Sequence, residues 1–202
     1  MKKLLILGLF FSLLTLTACS LKRAERQASD GSRQTGRGPD LPQEANTAPR
    51  LVVREGFTLE APANWKESPA LMPGISLMMV NSTETSERPE VKKINFKSYF
   101  SVSYDTLGEK TLEKYTADLK DKLTRLVVGI SFQDLEPTLV DGRPTQVFSA
   151  DLTQQGVDFK LLMFAAEGKD KDVWMISFNT LATGLSGYQD LFSKVAASFR
   201  VK

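Results

Sequence analysis

The stretch that decides the fold reads VDFKLLMFAA and runs from Val157 to Ala166. Every second residue from Val157 to Ala165 is apolar, and Leu162 and Phe164 make the second face apolar as well. Successive side chains of a strand point to opposite faces, so this strand must be covered on both sides. We therefore predict that it is a central strand of a sheet.

Turn signals on either side of this strand divide the second half of the chain into a meander. Asp141-Gly142 is a strong two-residue hairpin signal, and Gln155-Gly156 marks a second turn. A polar segment over residues 168–172 marks a third. The predicted strands cover residues 135–140, 145–153, 157–166 and 173–181.

Shorter apolar runs predict three strands in the first half of the domain. One begins at Phe57 and stops at Pro62, and the continuous apolar run Ile75–Val80 suits a strand covered on both sides. Alternation in the third strand predicts one shared apolar face made of Phe96, Phe100, Val102 and Tyr104.

Two amphipathic helices accompany these strands. Thr111 is predicted to cap a helix over residues 112–126, in which Asp118 and Lys122 form a surface pair at i, i+4. A final helix carries an apolar stripe over residues 188–199. Strands joined by short turns, with one helix in the middle and one at the end, predict an antiparallel α+β sandwich.

The N-terminal region carries a signal for location. An apolar run extends from Leu4 to Leu16, which is short for a spanning helix of about 20 apolar residues. The single cysteine of the chain follows, and the sequence Leu16-Thr17-Ala18-Cys19 resembles the lipobox of bacterial lipoproteins. The resemblance implies cleavage before Cys19 and attachment of diacylglycerol, with acyl chains such as palmitate, to its thiol. An ordinary cleaved signal peptide with an incidental cysteine is the alternative.

We predict three parts in the chain: a signal peptide over residues 1–18, the lipidated Cys19 with a flexible tether over 19–50, and an α+β domain over 51–202. The tether is rich in Ser, Gly, Pro and charged residues, so it cannot bury enough apolar surface to fold. Membrane lipid would hold the acylated Cys19 without a spanning segment. The predicted location is the bacterial cell envelope, and Ser20 favours the periplasmic face of the outer membrane in a Gram-negative source.

Composition excludes several classes of partner and cofactor. Removal of Lys2 and Lys3 with the signal peptide leaves 24 of the 26 basic residues against 24 acidic residues, so no nucleic-acid surface is expected. The chain has no histidine and its only thiol is assigned to lipid, which argues against a zinc or copper site. Asp170 and Asp172 would suit calcium or manganese, but the lysines beside them indicate a solvated turn. We predict no metal and no cofactor.

Catalysis has few candidates in this sequence. Without histidine, the usual general base for a serine or cysteine nucleophile is missing. Asp134 and Glu136 stand at alternate positions of a strand and would share a face, but their place beside Pro137 is typical of a solvent-facing edge. We therefore assign no catalytic residue and expect a protein that is not an enzyme.

The tryptophans and one tyrosine are further candidates for contact with a ligand or a partner. Trp65 and Trp174 lie in apolar periodic surroundings, so we predict that both pack in the core. Tyr99 stands on the polar face of its predicted strand and is the better candidate for an exposed aromatic contact.

Three segments of the predicted domain are similar to PsbP-like domains: Gly56–Leu59 with Pro62 and Trp65, Val140–Pro144, and Val195–Val201. That family includes cyanobacterial PsbP lipoproteins, envelope lipoproteins of the DcrB type and eukaryotic Mog nuclear-import factors. The resemblance implies an αβα sandwich around a mainly antiparallel sheet, used as a binding or assembly module without shared catalytic residues. Some PsbP proteins are associated with metal sites that include histidine, which this chain lacks.

Two function hypotheses follow. The first is a lipid-anchored binding or assembly module that reaches a protein complex of the cell envelope. The second is a membrane-anchored ligand carrier or hydrolase with a carboxylate-lined pocket. Within the first, a photosystem accessory role requires a phototrophic source.

Overall fold

The computed structural model describes residues 48–69 and 74–202. Its strands are β1 (Arg50–Val53), β2 (Phe57–Ala61), β3 (Lys66–Glu67), β4 (Ile75–Val80), β5 (Tyr99–Thr106), β6 (Ser131–Val140), β7 (Arg143–Gln154), β8 (Val157–Glu167), β9 (Asp172–Leu181) and β10 (Arg200–Val201). Its helices are α1 (Pro89–Ile94), α2 (Leu112–Leu126) and α3 (Leu185–Ser198), with a 3₁₀ turn at Ala182–Gly184.

The described strands form two antiparallel sheets. The larger has the order β3-β4-β5-β9-β8-β7-β6, and the smaller has the order β1-β2-β10. Strand β8 is paired on both sides, by β7 and β9, which confirms that it is an interior strand. Helix α3 and the small sheet cover one face of the large sheet, and α1 and α2 cover the other. The α+β sandwich is therefore confirmed, with a small second sheet in one of its outer layers.

Two apolar cores lie on opposite faces of the large sheet. The core beneath α3, which we call the α3-side core, contains Phe57, Trp65, Phe100, Phe178 and Phe192, each at most 1% exposed. The core beneath α2 is called the α2-side core. It contains every second side chain of β8, and the side chains between them face the α3-side core. The β8 members of the α2-side core are Val157, Phe159, Leu161, Met163 and Ala165. This division is the one that the two apolar faces of β8 predict.

The turns and the helix cap follow from local chemistry. Asp141 and Gly142 have φ of 55° and 69°, and Gln155 and Gly156 have φ of 51° and 75°. Two successive positive φ values are what a type I′ hairpin requires. The Thr111 side chain accepts a hydrogen bond from the backbone N–H of Lys114, which confirms the predicted cap of α2.

Several elements differ from the prediction. Strands β1, β3 and β10 are too short to show a period, and α1 lies in a segment where the sequence pattern predicted neither a helix nor a strand. Phe96 precedes β5 and packs in the α2-side core, whereas Phe100 lies in the α3-side core, so the two residues do not share a face. The predicted pair Asp118–Lys122 is replaced by contacts of Asp118 with Lys110 and Lys114, each at 2.7 Å.

Strand β4 has the predicted bounds but not two equally covered faces. Leu77 and Met79 are buried in the α3-side core, while Met78 and Val80 on the other face are half-buried. The reason is that β4 lies near the β3 edge of the sheet. In the described ranges, no helix has the length and apolar character needed to cross a membrane.

Candidate functional site

The lipobox residues Leu16, Thr17, Ala18 and Cys19 lie outside the described residues. Within the described ranges, the features that could carry function are found at three places. They are the end of the large sheet where β8 turns into β9, a hydrogen-bonded loop after β4, and the β6 edge.

The end of the sheet beside the β8–β9 turn carries an aromatic and ionic surface in which Tyr104 and Arg200 are exposed and Trp174 lies buried beneath Tyr104. We call it the turn-end patch, and it consists of Tyr104, Asp141, Arg143, Asp172, Trp174 and Arg200. Tyr104 lies near the end of β5, and Asp172 and Trp174 lie in the first three residues of β9. Asp141 and Arg143 lie at the β6–β7 hairpin, and Arg200 begins β10. Hairpins and the C-terminal strand therefore bring together residues that are far apart in sequence.

Trp174 is the centre of the patch. Its ring lies 5.0 Å from the Tyr104 ring, 5.3 Å from the Phe57 ring and 5.9 Å from the Phe199 ring. The residue is 7% exposed, which confirms the predicted core position. Two glycines make room for the indole, because a Cβ on Gly56 would lie 2.7 Å from its Cζ2 and one on Gly168 would lie 3.2 Å from its Nε1.

Tyr104 covers Trp174 from the solvent side and is 45% exposed. Its hydroxyl donates a hydrogen bond to Asp172 Oδ1 at 2.7 Å. This bond is the main reason that the pKa of Tyr104 lies above its usual value, with desolvation and nearby carboxylates adding to the shift. The hydrogen bond to Asp172 and the contact with the Trp174 ring therefore both restrict the orientation of the exposed Tyr104 ring.

The ionic part of the patch is organised around Asp141. Its carboxylate lies 3.9 Å from Arg143 Nε and 3.7 Å from Arg200 Nε, and it accepts the backbone N–H of Val201 at 3.0 Å. Arg143 also donates from Nη1 to the Gly168 carbonyl at 2.9 Å. These contacts tie the β6–β7 hairpin to the β8–β9 turn and to β10.

Tyr99, which the sequence indicated as the exposed aromatic, does not have that role. It is half-buried, and its ring centroid lies 6.3 Å from that of Phe96. Burial raises the pKa of its hydroxyl to about 12. The prediction was wrong because the segment before β5 folds back over the polar face of that strand, and alternation within a strand cannot reveal such a cover.

The carboxylates that the sequence indicated are separated. Asp134 and Glu136 lie on β6, an edge strand, and Asp134 pairs with Lys120 while its side chain is 74% exposed. This confirms the solvent-facing edge, and a register irregularity between Leu135 and Thr138 interrupts the alternation that would put both carboxylates on one face. The turn after β8 is solvated at Asp170, and Asp172 is committed to Tyr104. Residues 48–69 and 74–202 hold no cluster of three or more acidic, cysteine or histidine side chains suited to a metal.

A polar network that sequence reasoning missed joins the loop after β4 to α3. We call it the Glu84 network, and its members are Asn81, Glu84, Ser98, Thr180 and Tyr188. Glu84 accepts hydrogen bonds from the Ser98 N–H, the Ser98 hydroxyl at 2.9 Å and the Tyr188 hydroxyl at 3.2 Å. Asn81 donates to the Tyr188 oxygen at 2.9 Å, and the Ser98 and Thr180 hydroxyls lie 2.9 Å apart.

The hydrogen bonds of the Glu84 network indicate a structural role. Both carboxylate oxygens of Glu84 accept hydrogen bonds from the protein itself, so Glu84 joins the loop after β4 to Ser98 and to Tyr188 of α3. Burial and the nearby Glu84 charge raise the pKa of Tyr188 to about 12, so its hydroxyl stays a donor across the physiological range. No periodic signal marks these residues in the sequence, because they meet only after α3 has packed on the sheet.

Comparison with solved structures shows the fold. The chain is similar to cyanobacterial PsbP (CyanoP) from Synechocystis sp. PCC 6803, with a TM-score of 0.56 and 13% identity over 81% of this chain and 98% of that one. It is also similar to LpqN, a protein involved in cell envelope biogenesis of Mycobacterium tuberculosis, with a TM-score of 0.53 and 14% identity over 82% and 99%. The chain is similar as well to the Saccharomyces cerevisiae Ran-binding protein Mog1p, with a TM-score of 0.52 and 15% identity over 76% of this chain and 95% of that one.

Neither the protein-family models nor the curated proteins gave a match to this chain. The likeness therefore concerns the fold alone. The chain has the PsbP-like fold that the segments from Gly56 to Val201 indicated, with helices on both faces of an antiparallel sheet.

Proposed function

We propose that the protein is a lipid-anchored lipoprotein of the bacterial cell envelope whose PsbP-like domain acts as a non-catalytic binding or assembly module. The observation that carries the proposal is the turn-end patch, where Tyr104 is exposed and held against Trp174 and Asp172. Tyr, Trp and Arg are the residue types that dominate binding energy at protein interfaces. The partner is a protein of an envelope complex.

The patch suits binding because its side chains are already ordered. A hydrogen bond and a ring contact fix Tyr104, so docking a partner on it costs little rotamer entropy. Arg200, with its side chain 53% exposed, adds a guanidinium at the rim that can form charged hydrogen bonds. The patch is thus an aromatic centre with an ionic border, the arrangement typical of specific interfaces.

The carboxylate-lined carrier or hydrolase is the weaker alternative. Its best candidate is Glu84, and the hydrogen bonds to both oxygens of that carboxylate favour a structural role. The proposal of a lipid anchor rests on the Leu16-Thr17-Ala18-Cys19 sequence. LpqN is a similarly folded protein of cell envelope biogenesis, which supports the same location.

The binding role is tested by a pull-down from detergent-solubilised membranes of the native host. Tyr104→Ala is compared with Val128→Ser, which alters a 94% exposed side chain in the α2–β6 connection. We expect the same protein partner to be retained by the unaltered chain and by the Val128 variant, and to be lost with Tyr104→Ala. Equal retention by all three chains would argue against the patch.

The anchor is tested separately by fractionation and mass spectrometry. Cys19→Ala should move the protein from the membrane pellet to the soluble fraction, whereas Ser20→Ala, its neighbour, should leave it in the pellet. The mature N-terminus should carry the mass of a diacylglyceryl cysteine. A free thiol at Cys19, or a Cys19→Ala protein that stays in the pellet, would contradict the anchor without affecting the binding role.

A further inference from the structure

Two neighbouring interior strands of the large sheet, β5 and β9, carry a polar cluster inside the α2-side core. In the register of β5 and β9, Ser101 lies opposite Ser177 and Tyr99 lies opposite Asn179. Their neighbours Phe100, Ile176 and Phe178 belong to the α3-side core, so these four side chains point to the α2 side. We call them the polar floor.

Two members of the polar floor are buried without a hydrogen-bond partner. Ser177 is 0% exposed and Asn179 is 5% exposed. In the part of the chain that the structure describes, neither Ser177 Oγ nor Asn179 Nδ2 has a partner. Buried polar groups of native proteins almost always have one, often an ordered water. The floor therefore presents an unused hydroxyl and an unused amide donor, two residues apart on one face.

Phe96 lies at one end of this floor. Its ring centroid lies 6.3 Å from that of Tyr99 on β5 and 4.9 Å from that of Phe159 on β8. Tyr99 is the register partner of Asn179, and Phe159 is the partner of Leu181. Because β9 lies between β5 and β8, these two contacts place the Phe96 ring near the Asn179 end of the floor. An aromatic side chain from the short segment that joins α1 to β5 therefore lies at this end of the floor, and the members of the floor other than Tyr99 are buried within the α2-side core.

The chemistry of the floor defines what could bind. It contains hydroxyl and amide groups and no charged side chain, so a charged ligand would lose its hydration without compensation. Asn179 Nδ2 needs an acceptor, and Ser177 Oγ can both donate and accept. A hydroxyl group satisfies both, because it accepts with its lone pairs and donates its hydrogen.

We propose that the polar floor is an enclosed binding site for a small uncharged molecule that carries a hydroxyl group, either water or a short alcohol. The molecule accepts a hydrogen bond from Asn179 and exchanges one with Ser177. The site is independent of the turn-end patch, since Tyr104 and Trp174 face the α3 side of the same strands.

The test uses the full chain, purified in detergent and labelled with ¹⁵N at asparagine. Asn81 serves as an internal control, because its side-chain amide is also buried but donates to Tyr188. We expect the Asn179 amide protons to show a through-space contact with a long-lived water and those of Asn81 to show none. Ethylene glycol is then titrated. A saturable shift of the Asn179 amide alone identifies a short alcohol as an occupant, and no shift assigns the site to water.

Variants assign the signals and guard against misfolding. Asn179→Ala should remove one amide pair, and Ser177→Ala should keep that pair but weaken its water contact. Ser103→Ala changes a half-buried serine of β5 on the same face and should do neither. The proposal would be overturned if, in the folded protein, the Asn179 amide protons showed no contact with a long-lived water and no shift on addition of ethylene glycol.

Discussion

The contact between Gly56 and Trp174 allows a quantitative test of the packing at the turn-end patch. A Cβ added to Gly56 would lie 2.7 Å from Cζ2 and 2.8 Å from Cη2 of the indole. Carbon atoms in favourable contact are about 3.5–4.0 Å apart, so the ring or the backbone must move by roughly 1 Å. The indole cannot withdraw freely, because Gly168 and the Phe57 and Phe199 rings surround it.

The magnitude follows from the cost of overpacking a core. Forcing an extra methyl group into a filled site destabilises a protein by about 1–3 kcal/mol. Gly56 does not have a positive φ, so the backbone adds no penalty of its own. For a domain of about 150 residues, this loss corresponds to a fall in melting temperature of roughly 3–10 °C.

The assay is urea unfolding followed by circular dichroism in a double-mutant cycle. Gly56→Ala is measured alone and together with Trp174→Phe, which removes the two ring atoms that clash. We expect most of the Gly56→Ala penalty to disappear in the Trp174→Phe background. Gly108→Ala is the matched control, because its φ of 61° makes alanine strained there although no atom lies within 4 Å. Its penalty should be the same in both backgrounds. An equal penalty for Gly56→Ala in both would refute the steric argument.

Three further outcomes are expected. Thr111→Ala removes the α2 cap and should lower the free energy of unfolding by about 1 kcal/mol in urea, so an unchanged midpoint would contradict the capping role. Tyr188→Phe leaves the Asn81 amide without its acceptor and should cost about 1–3 kcal/mol, and a neutral effect would show that the Glu84 network is replaceable by water. All four tyrosines, Tyr99, Tyr104, Tyr115 and Tyr188, have a raised pKa, so tyrosinate absorbance of the folded chain should appear above the pH of about 10 at which the urea-unfolded chain titrates. The folded state keeps these protons to higher pH than the unfolded state, so the raised pKa values contribute to the free energy of unfolding. This contribution is complete below pH about 10 and is lost as the pH rises to about 12 and beyond. Coincident titration of the folded and unfolded chains would contradict it.

The sheet could be predicted from sequence where the period was long enough to read. The two apolar faces of β8 became the two cores, and Asp141-Gly142 became the hairpin, because these features depend on residues adjacent in the chain. Strands β3 and β10 each have two residues and show no period. They exist because β4 and β2 present free edges for them to pair with.

The candidate site was less accessible to sequence reasoning. Tyr99 and Tyr104 lie on one strand, and polarity of the neighbouring residues pointed to the wrong one. Their exposure is decided by Phe96, which covers Tyr99, and by the glycines that seat Trp174 beneath Tyr104. These are contacts between distant segments, and a local pattern does not encode them.

The small sheet has a consequence for how the backbone can be rewired. Thr58 on β2 is the register partner of Val53 on one side and of Arg200 on the other, so the first and last strands of the domain run about 10 Å apart. Both strands are antiparallel to β2 and therefore run parallel to each other, so residue 202 and residue 48 lie beyond opposite ends of β2, and a glycine-rich linker that joins them must span roughly 25 Å. About ten residues reach that distance while every strand pairing is kept, and the exposed Gln155-Gly156 turn could supply new termini. Circular permutation with such a linker would change the order in which the segments are synthesised and keep the architecture of the domain.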